Sequence, residues 1–99
     1  MAGYELAPEA LSDLQSIWDF IAADSPVAAD RLVEDFFEAF EQLASWPGMG
    51  HRRTDLTNRA VRFWPVRTYL VVYREHPEGV QIAAVLHSSR DIPLLLENR

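Results

Sequence analysis

Two neighbouring runs rich in β-branched and aromatic residues, at 69–74 and 80–87, constrain the fold of this chain more than any other feature. Residues 75–79, between them, contain proline and glycine, which favour a turn. Two strand-forming runs joined by a short loop predict an antiparallel hairpin. A third strand is expected over 59–64, ending at Pro65, because proline has no N–H to donate to a sheet.

The spacing of apolar residues before residue 50 predicts two amphipathic helices. The first opens at Pro8, since proline suits the first helical position, and carries Asp13 on its polar face. The second runs over 26–45 with Ser25 as its N-cap. The connection has only two or three residues, so the helices must fold back on each other as an antiparallel hairpin.

The expected architecture is therefore α+β, with a single domain over 1–99 in which the helical hairpin packs on one face of a small antiparallel sheet. Residues 4–6 alternate and predict one more short strand. The tail from Ile92 is expected to form either a short helix on the sheet or a flexible apolar tip. The other face of the sheet is expected to meet water, a ligand or a partner.

The composition limits where in the cell the protein is expected and what it is expected to bind. The chain has no cysteine, no signal-peptide pattern and no apolar run near the length of about 20 residues that crosses a bilayer. We therefore expect a cytoplasmic protein without a membrane partner. The formal net charge is −6, which argues against a protein that coats nucleic acid.

The charges are divided between the two halves of the chain. Residues 1–50 hold ten acids and one arginine, whereas residues 51–99 hold eight arginines and five acids, and lysine is absent. Neither a metal-ligand cluster nor a glycine-rich phosphate loop nor a nucleophile elbow is found in the sequence. The remaining candidate is a cationic cluster interleaved with aromatic residues, formed by Arg59, Arg62, Trp64, Arg67, Tyr69, Tyr73, Arg74, His87 and Arg90.

Strand alternation predicts which of these side chains share a face of the sheet. Arg62 is expected beside Trp64, and His87 on the face of Val85, Ala83 and Gln81. Such cations suit an acidic peptide or a phosphate backbone. The alternative is an ordinary solvated face whose arginines pair with acids of the helices.

The order and spacing of these features resemble the ParE/RelE superfamily of toxins from toxin–antitoxin systems, and its ParE branch in particular. The resemblance covers almost the whole chain. It is carried by Ala10, Asp13-Leu14, Ile17 and Phe20-Ile21, by Ala28-Ala29, Phe40, Leu43, Pro47 and Gly50, and by Arg62, Tyr69-x-Val71-x-Tyr73-Arg74 and Ile82-x-x-Val85-Leu86-His87-x-x-Arg90-Asp91. The family fold, a helical hairpin on a small antiparallel sheet, agrees with the expectation above.

The resemblance to the ParE branch implies a non-enzymatic toxin that inhibits DNA gyrase, needs no cofactor and is neutralised by a ParD-like antitoxin. The antitoxins of this group carry an acidic amphipathic segment, and the complex binds operator DNA through the antitoxin. We assign antitoxin binding to Arg59, Arg62, Trp64 and Arg74 and target binding to Arg67, His87, Arg90 and Leu95.

The RelE branch implies a different activity, ribosome-dependent cleavage of mRNA. Cleavage through the 2′-hydroxyl needs a base, an acid and cations on the phosphate. Lysine is absent here, and no residue after His87 can donate a proton at neutral pH, so the only catalytic set available is His87, Arg67, Arg74 and Arg90. A third possibility is a homologue that binds an antitoxin but is no longer toxic.

Overall fold

The computed structural model describes residues 3–99 and contains the predicted helical hairpin. Helix α1 spans Pro8–Ala22 and helix α2 spans Pro26–Ser45. The Ser25 hydroxyl accepts a hydrogen bond from the Ala28 amide at 3.1 Å, so the N-cap assigned from the sequence is confirmed. Both helices begin with proline in their first turn, where its missing N–H costs no helical hydrogen bond.

Four strands form one sheet in the order β1-β4-β3-β2. They span Gly3–Leu6 (β1), Arg62–Val66 (β2), Tyr69–His76 (β3) and Gly79–His87 (β4). The α+β class is confirmed, but the sheet is mixed, because β1 pairs with β4 in parallel. Helix α2 ends beside the β3–β4 turn, at the end of the sheet where β1 begins, so β2 and β4 both run in the direction of β1.

The limits of two strands differ from the sequence prediction. Strand β2 runs past Pro65 to Val66. Phe63 exchanges both backbone hydrogen bonds with His51 on the outer side of β2, so Pro65, two residues on, also turns its nitrogen away from β3. The β3–β4 turn has two residues rather than five, because the strands pair as far as His76 and Gly79.

Gly79 permits the close approach of the first strand. Its φ of +143° lies in a region that side chains rarely adopt, and a Cβ there would meet the Gly3 carbonyl. Glycine at this position lets β1 lie beside the start of β4.

Both faces of the sheet are covered by apolar side chains. The face toward the helices packs Phe36 and Phe40 against Val71, Tyr73 and Ile82, with Tyr69 in the same cluster. Tyr69 and Tyr73 therefore belong to the core.

The face expected to be open carries a second apolar cluster instead. A third helix, α3 (Ile92–Glu97), packs Ile92 and Leu96 against Phe63, Val72 and Leu86. The tail is therefore the short helix of the two alternatives, and it removes much of this face from solvent.

One extra residue in β4 changes which side chains point toward the helices. Val72 pairs with Ala84 and Tyr73 with Ile82, so Ala83 is a β-bulge. Val85 lies on the helix-facing side with Ile82, whereas Gln81 lies on the opposite side beside Glu5. The prediction that His87, Val85, Ala83 and Gln81 share one face is therefore wrong, since it assumed unbroken alternation.

A buried hydroxyl fixes the loop that follows α2. The Tyr73 side chain is fully buried, and its hydroxyl donates to the Pro47 carbonyl and accepts from the Gly50 amide, both at 2.8 Å. Burial raises the pKa of Tyr73 above its ordinary value. The Arg62 guanidinium donates to the Gly50 carbonyl at 2.9 Å, so the same loop is also held from β2.

We predict that Tyr73→Phe lowers the free energy of unfolding by about 1–3 kcal/mol, because two backbone groups lose their partner. Gly50→Ala acts on the same contact, since a Cβ there would lie 2.5 Å from the Tyr73 hydroxyl. Urea denaturation measures both changes, with Tyr4→Phe as the matched control. Equal stabilities of the Tyr73 and Tyr4 variants would contradict this role.

Candidate functional site

The residues assigned to antitoxin binding do not form one surface. Trp64 is partly buried against the helix-facing core, and Arg62 on the same side is engaged with the Gly50 carbonyl. Arg74 is exposed on the opposite side of the sheet, one position after Tyr73. The Arg59 guanidinium donates to the Arg99 carbonyl at 2.7 Å. The four residues therefore lie on different sides of the sheet, of which α3 covers one and the helical hairpin the other.

The residues assigned to target binding lie together at one end of the sheet. His87, Arg90 and Leu95 line a groove of about 490 Å³ between α1 and the C-terminal segment, which we call the β4-end groove. Its other lining residues are Asp13, Ser16, Ile17, Phe20, Tyr69, Val85, Leu86, Ser89 and Arg99.

Arg67 lies at the same end of the sheet, in the two-residue turn between β2 and β3. Its φ of +55° is unusual for a residue with a side chain, and its guanidinium pairs with Asp35 of α2 at 2.6 Å. All four residues of the predicted target-binding set are therefore placed at one end of the molecule.

His87 is held in a defined orientation in the β4-end groove. Its Nδ1 accepts a hydrogen bond from the Ser89 amide at 3.1 Å and lies 2.7 Å from the Ser89 hydroxyl. Because Nδ1 accepts from an N–H, the neutral ring carries its proton on Nε2. The ring also makes an edge contact with Tyr69, with 5.1 Å between centroids. The groove thus presents an oriented imidazole beside Arg90.

Asp13 joins α1, β4 and the C-terminal segment at the floor of this groove. Its side chain, only 14% exposed, accepts from the Val85 amide at 2.9 Å and from both terminal nitrogens of Arg99 at 2.8 Å. The hydrogen bonds that the Arg99 guanidinium donates to Asp13 raise the pKa of Arg99. The Val85 amide lies on the edge of β4 beyond the end of β1, and Asp13 supplies the acceptor that a neighbouring strand would have given.

The sequence prediction placed Asp13 on the polar outer face of α1, and this was wrong. Asp13 and Arg99 are 86 positions apart, so no local pattern pairs them. The sequence contained only an indirect indication that Asp13 has a structural role, because Asp13 is among the residues that carry the family resemblance.

The alternative catalytic set is not assembled around one point. His87 and Arg90 share the β4-end groove, but Arg67 pairs with Asp35, and Arg74 lies on the other side of the sheet near its far end. Within residues 3–99 no group of three His, Cys, Asp or Glu side chains is arranged to hold a metal ion. Among the helices of that range, none has the length and apolarity to cross a membrane.

Comparisons with known proteins agree with this fold. The chain superposes on a structure described as the chromosomal ParDE TA system from P. aeruginosa with a TM-score of 0.72. That match covers 88% of this chain and 96% of the other at 21% identity, and so concerns the fold alone. The chain is also 31% identical over 88 residues to Toxin RelE3 of Caulobacter vibrioides, covering 89% of this chain and 96% of that protein.

The helical hairpin, the four-stranded sheet and these likenesses define a small toxin of the ParE/RelE superfamily. More particularly, residues 4–92 match the model of the ParE toxin of the type II toxin–antitoxin system, parDE. The chain belongs to this ParE toxin family.

We predict that Asp13→Asn and Arg99→Gln destabilise the protein together rather than independently. Each removes the same partly buried ion pair, so a double-mutant cycle should give a coupling energy of about 1 kcal/mol. Urea denaturation supplies the cycle, and hydrogen exchange should show faster opening of α3 in both single variants. Asp55→Asn is the control, since the Arg53–Asp55 pair is exposed and should contribute nothing measurable. Additive effects of the two substitutions would contradict the coupling.

Proposed function

We propose that this toxin acts in the cytoplasm by inhibiting DNA gyrase, without catalysing a reaction, and that a ParD-like antitoxin neutralises it. The observation that carries the proposal is the grouping of His87, Arg90 and Leu95 in the β4-end groove, with Arg67 beside it. A target-binding protein needs such a contiguous surface, with cations at the rim and an apolar residue to bury.

The competing function is ribosome-dependent cleavage of mRNA, as the RelE branch implies. That chemistry needs a base, an acid and phosphate-binding cations converging on one ribose. The Arg67 guanidinium is engaged with Asp35, and Arg74 lies on the other side of the sheet near its far end, and this favours target binding over catalysis. The match to the ParE family model over residues 4–92 favours the same choice.

The purified toxin should be tested in parallel in a gyrase supercoiling assay and in a translating ribosome extract. We expect trapped cleaved DNA in the first and intact mRNA in the second. Arg90→Glu should raise the concentration needed for half-inhibition at least about tenfold, because it reverses the charge at the rim of the groove. Arg52→Glu, an exposed charge reversal in the 46–61 loop, should leave inhibition unchanged.

Cleaved mRNA with unaffected gyrase would replace this proposal with the nuclease function. If neither gyrase nor mRNA is affected, the protein would be a homologue that binds an antitoxin but is not toxic. If a well-folded Arg90→Glu variant inhibits gyrase as strongly as the Arg52→Glu control, the β4-end groove is not the gyrase-binding surface. Gyrase would still be the target.

For the antitoxin, we propose that the exposed Arg74 on the edge of the α3 side contacts an acidic segment. Within residues 3–99 the Arg74 guanidinium makes no ion pair, so it is available to a carboxylate. Arg59, Arg62 and Trp64 lie around β2 and not on the surface of Arg74, so in this proposal the antitoxin contacts more than one surface; Arg62 also holds the Gly50 loop. In this proposal, the toxin–antitoxin complex binds operator DNA through the antitoxin.

We predict that Arg74→Glu weakens antitoxin binding and makes it less dependent on salt, since a screened attraction is lost. Titration calorimetry at low and high salt, with Arg52→Glu as the control, measures both effects. Arg62→Glu should also weaken binding, but with a loss of thermal stability, because its contact with Gly50 is broken. Unchanged affinity of the Arg74 variant across the salt series would contradict this contact.

A further inference from the structure

Two hydrogen-bond donors of the β4-end groove are available to a ligand. Ser89 holds the His87 ring through Nδ1, so Nε2–H is the donor that the ring offers, and no hydrogen bond within residues 3–99 uses it. The exposed Arg90 guanidinium makes no ion pair in the same range. The Arg90 amide donates to the His87 carbonyl at 3.0 Å, and this turn keeps the two residues close together. Two neighbouring donors, one of them charged, suit the two oxygens of a carboxylate.

Apolar side chains line the same groove. Ile17 and Phe20 come from α1, and Leu95 comes from α3. The Phe20 side chain is 77% exposed, whereas phenylalanine in a folded domain is usually buried. A ligand that covers Phe20 would remove apolar surface from water, which favours binding.

The positive charge of the groove is local to Arg90. Three charged residues line the groove, and two of them, Asp13 and Arg99, pair with each other. Arg67, at the same end of the sheet, pairs with Asp35. Arg90 is therefore the cation of this end whose charge a ligand can neutralise without displacing a carboxylate of the protein.

Other carboxylates lie close to the groove. Asp91 follows Arg90 and accepts a hydrogen bond from the Leu94 amide at 3.2 Å as the N-cap of α3. Glu9 lies near enough to Arg99 to contribute to its raised pKa. A nucleic-acid backbone needs several unpaired cations and would be repelled by these acids and by Asp13. The charges therefore favour a single carboxylate over a polyanion.

The size of the groove limits the ligand to a few side chains. Its volume of about 490 Å³ lies within the range of roughly 300–1,000 Å³ that is typical of pockets for small ligands. An extended segment or a loop can place two or three side chains in such a space.

We propose that the β4-end groove binds a short segment of a protein target in which an aspartate or glutamate is flanked by large apolar residues. The carboxylate accepts hydrogen bonds from Arg90 and from Nε2 of His87. The apolar neighbours pack against Ile17, Phe20 and Leu95. This inference rests on the proposed function, because it takes the target to be a protein, and it adds Phe20 to the residues that select that target.

The test uses three capped tripeptides with the sequences leucine–aspartate–leucine, leucine–asparagine–leucine and serine–aspartate–serine. Each is titrated into the full isotope-labelled chain, and binding is followed by NMR through the ring signals of His87. We expect the first peptide to bind at least about fivefold more tightly than the second, because a hydrogen bond to a charged acceptor is stronger. It should also bind at least about fivefold more tightly than the third, because leucine buries more apolar surface.

Matched variants separate the two parts of this recognition. Arg90→Gln should abolish the preference for aspartate over asparagine and keep the preference for leucine over serine. Phe20→Ser should keep the preference for aspartate and reduce the preference for leucine at least about twofold. The controls Arg52→Gln and Leu94→Ser change exposed residues outside the groove and should leave both preferences unchanged. Thermal melts show whether each variant retains the fold.

Three results would overturn the inference. The first is equal binding of the aspartate and asparagine peptides, and the second is a preference for aspartate that persists in a folded Arg90→Gln variant. The third is displacement of the first peptide by a short single-stranded RNA, since a phosphate-bearing ligand would then occupy the groove.

These outcomes are distinct from failure of the proposed function, which the gyrase assay tests separately. If the peptide preferences are as expected and gyrase is unaffected, the proposed target is wrong and this inference stands. If gyrase is inhibited and the peptide preferences are absent, gyrase remains the target and this inference is wrong.

Discussion

The extra residue at Ala83 determines what the end of β4 presents to the rest of the molecule. Before the bulge, Val80 and Ile82 face the helices, and after it Val85 takes that side, with His87 following by alternation. The bulge lies where β1 ends, so the edge of β4 becomes available to α1 at the same point. Asp13 then reaches the Val85 amide, and the groove forms around His87. Bulges commonly re-aim side chains near functional sites, and here one residue assembles the candidate site.

Local features of the chain were predictable from sequence because their causes are local. Pro8 marked the start of the first helix, Ser25 and the spacing of apolar residues gave the second helix over 26–45 as observed, and the β-branched runs gave the central hairpin. The parallel pairing of β1, the bulge and the Asp13–Arg99 pair depend on residues far apart in sequence, so no periodicity reports them. The arginines do not share one open face because α3 covers one side of the sheet. The packing of α3 on the sheet was one of the two forms expected for the tail.

The division of charge along the chain has a structural counterpart. The acidic helices and the arginine-rich second half are joined by two ion pairs, Arg67–Asp35 and Arg99–Asp13, both at the end of the sheet that carries the β4-end groove. The end of the sheet that carries the β4-end groove is therefore the place where these pairs join the oppositely charged halves of the chain.

The loop over 46–61 is anchored at its start by hydrogen bonds and at its end by the buried Val61, and most of the stretch between them is exposed. Tyr73, Arg62 and the His51–Phe63 bridge hold residues 47–51, whereas residues 52–55 and 58–60 are exposed. The helical hairpin and the three later strands share the helix-facing core and do not depend on this stretch to meet. A protease that nicks the loop after Arg52 or Arg53 would therefore leave two fragments still bound to each other, an acidic helical piece and an arginine-rich sheet piece. The same position is a natural place to divide the protein into two complementing polypeptides.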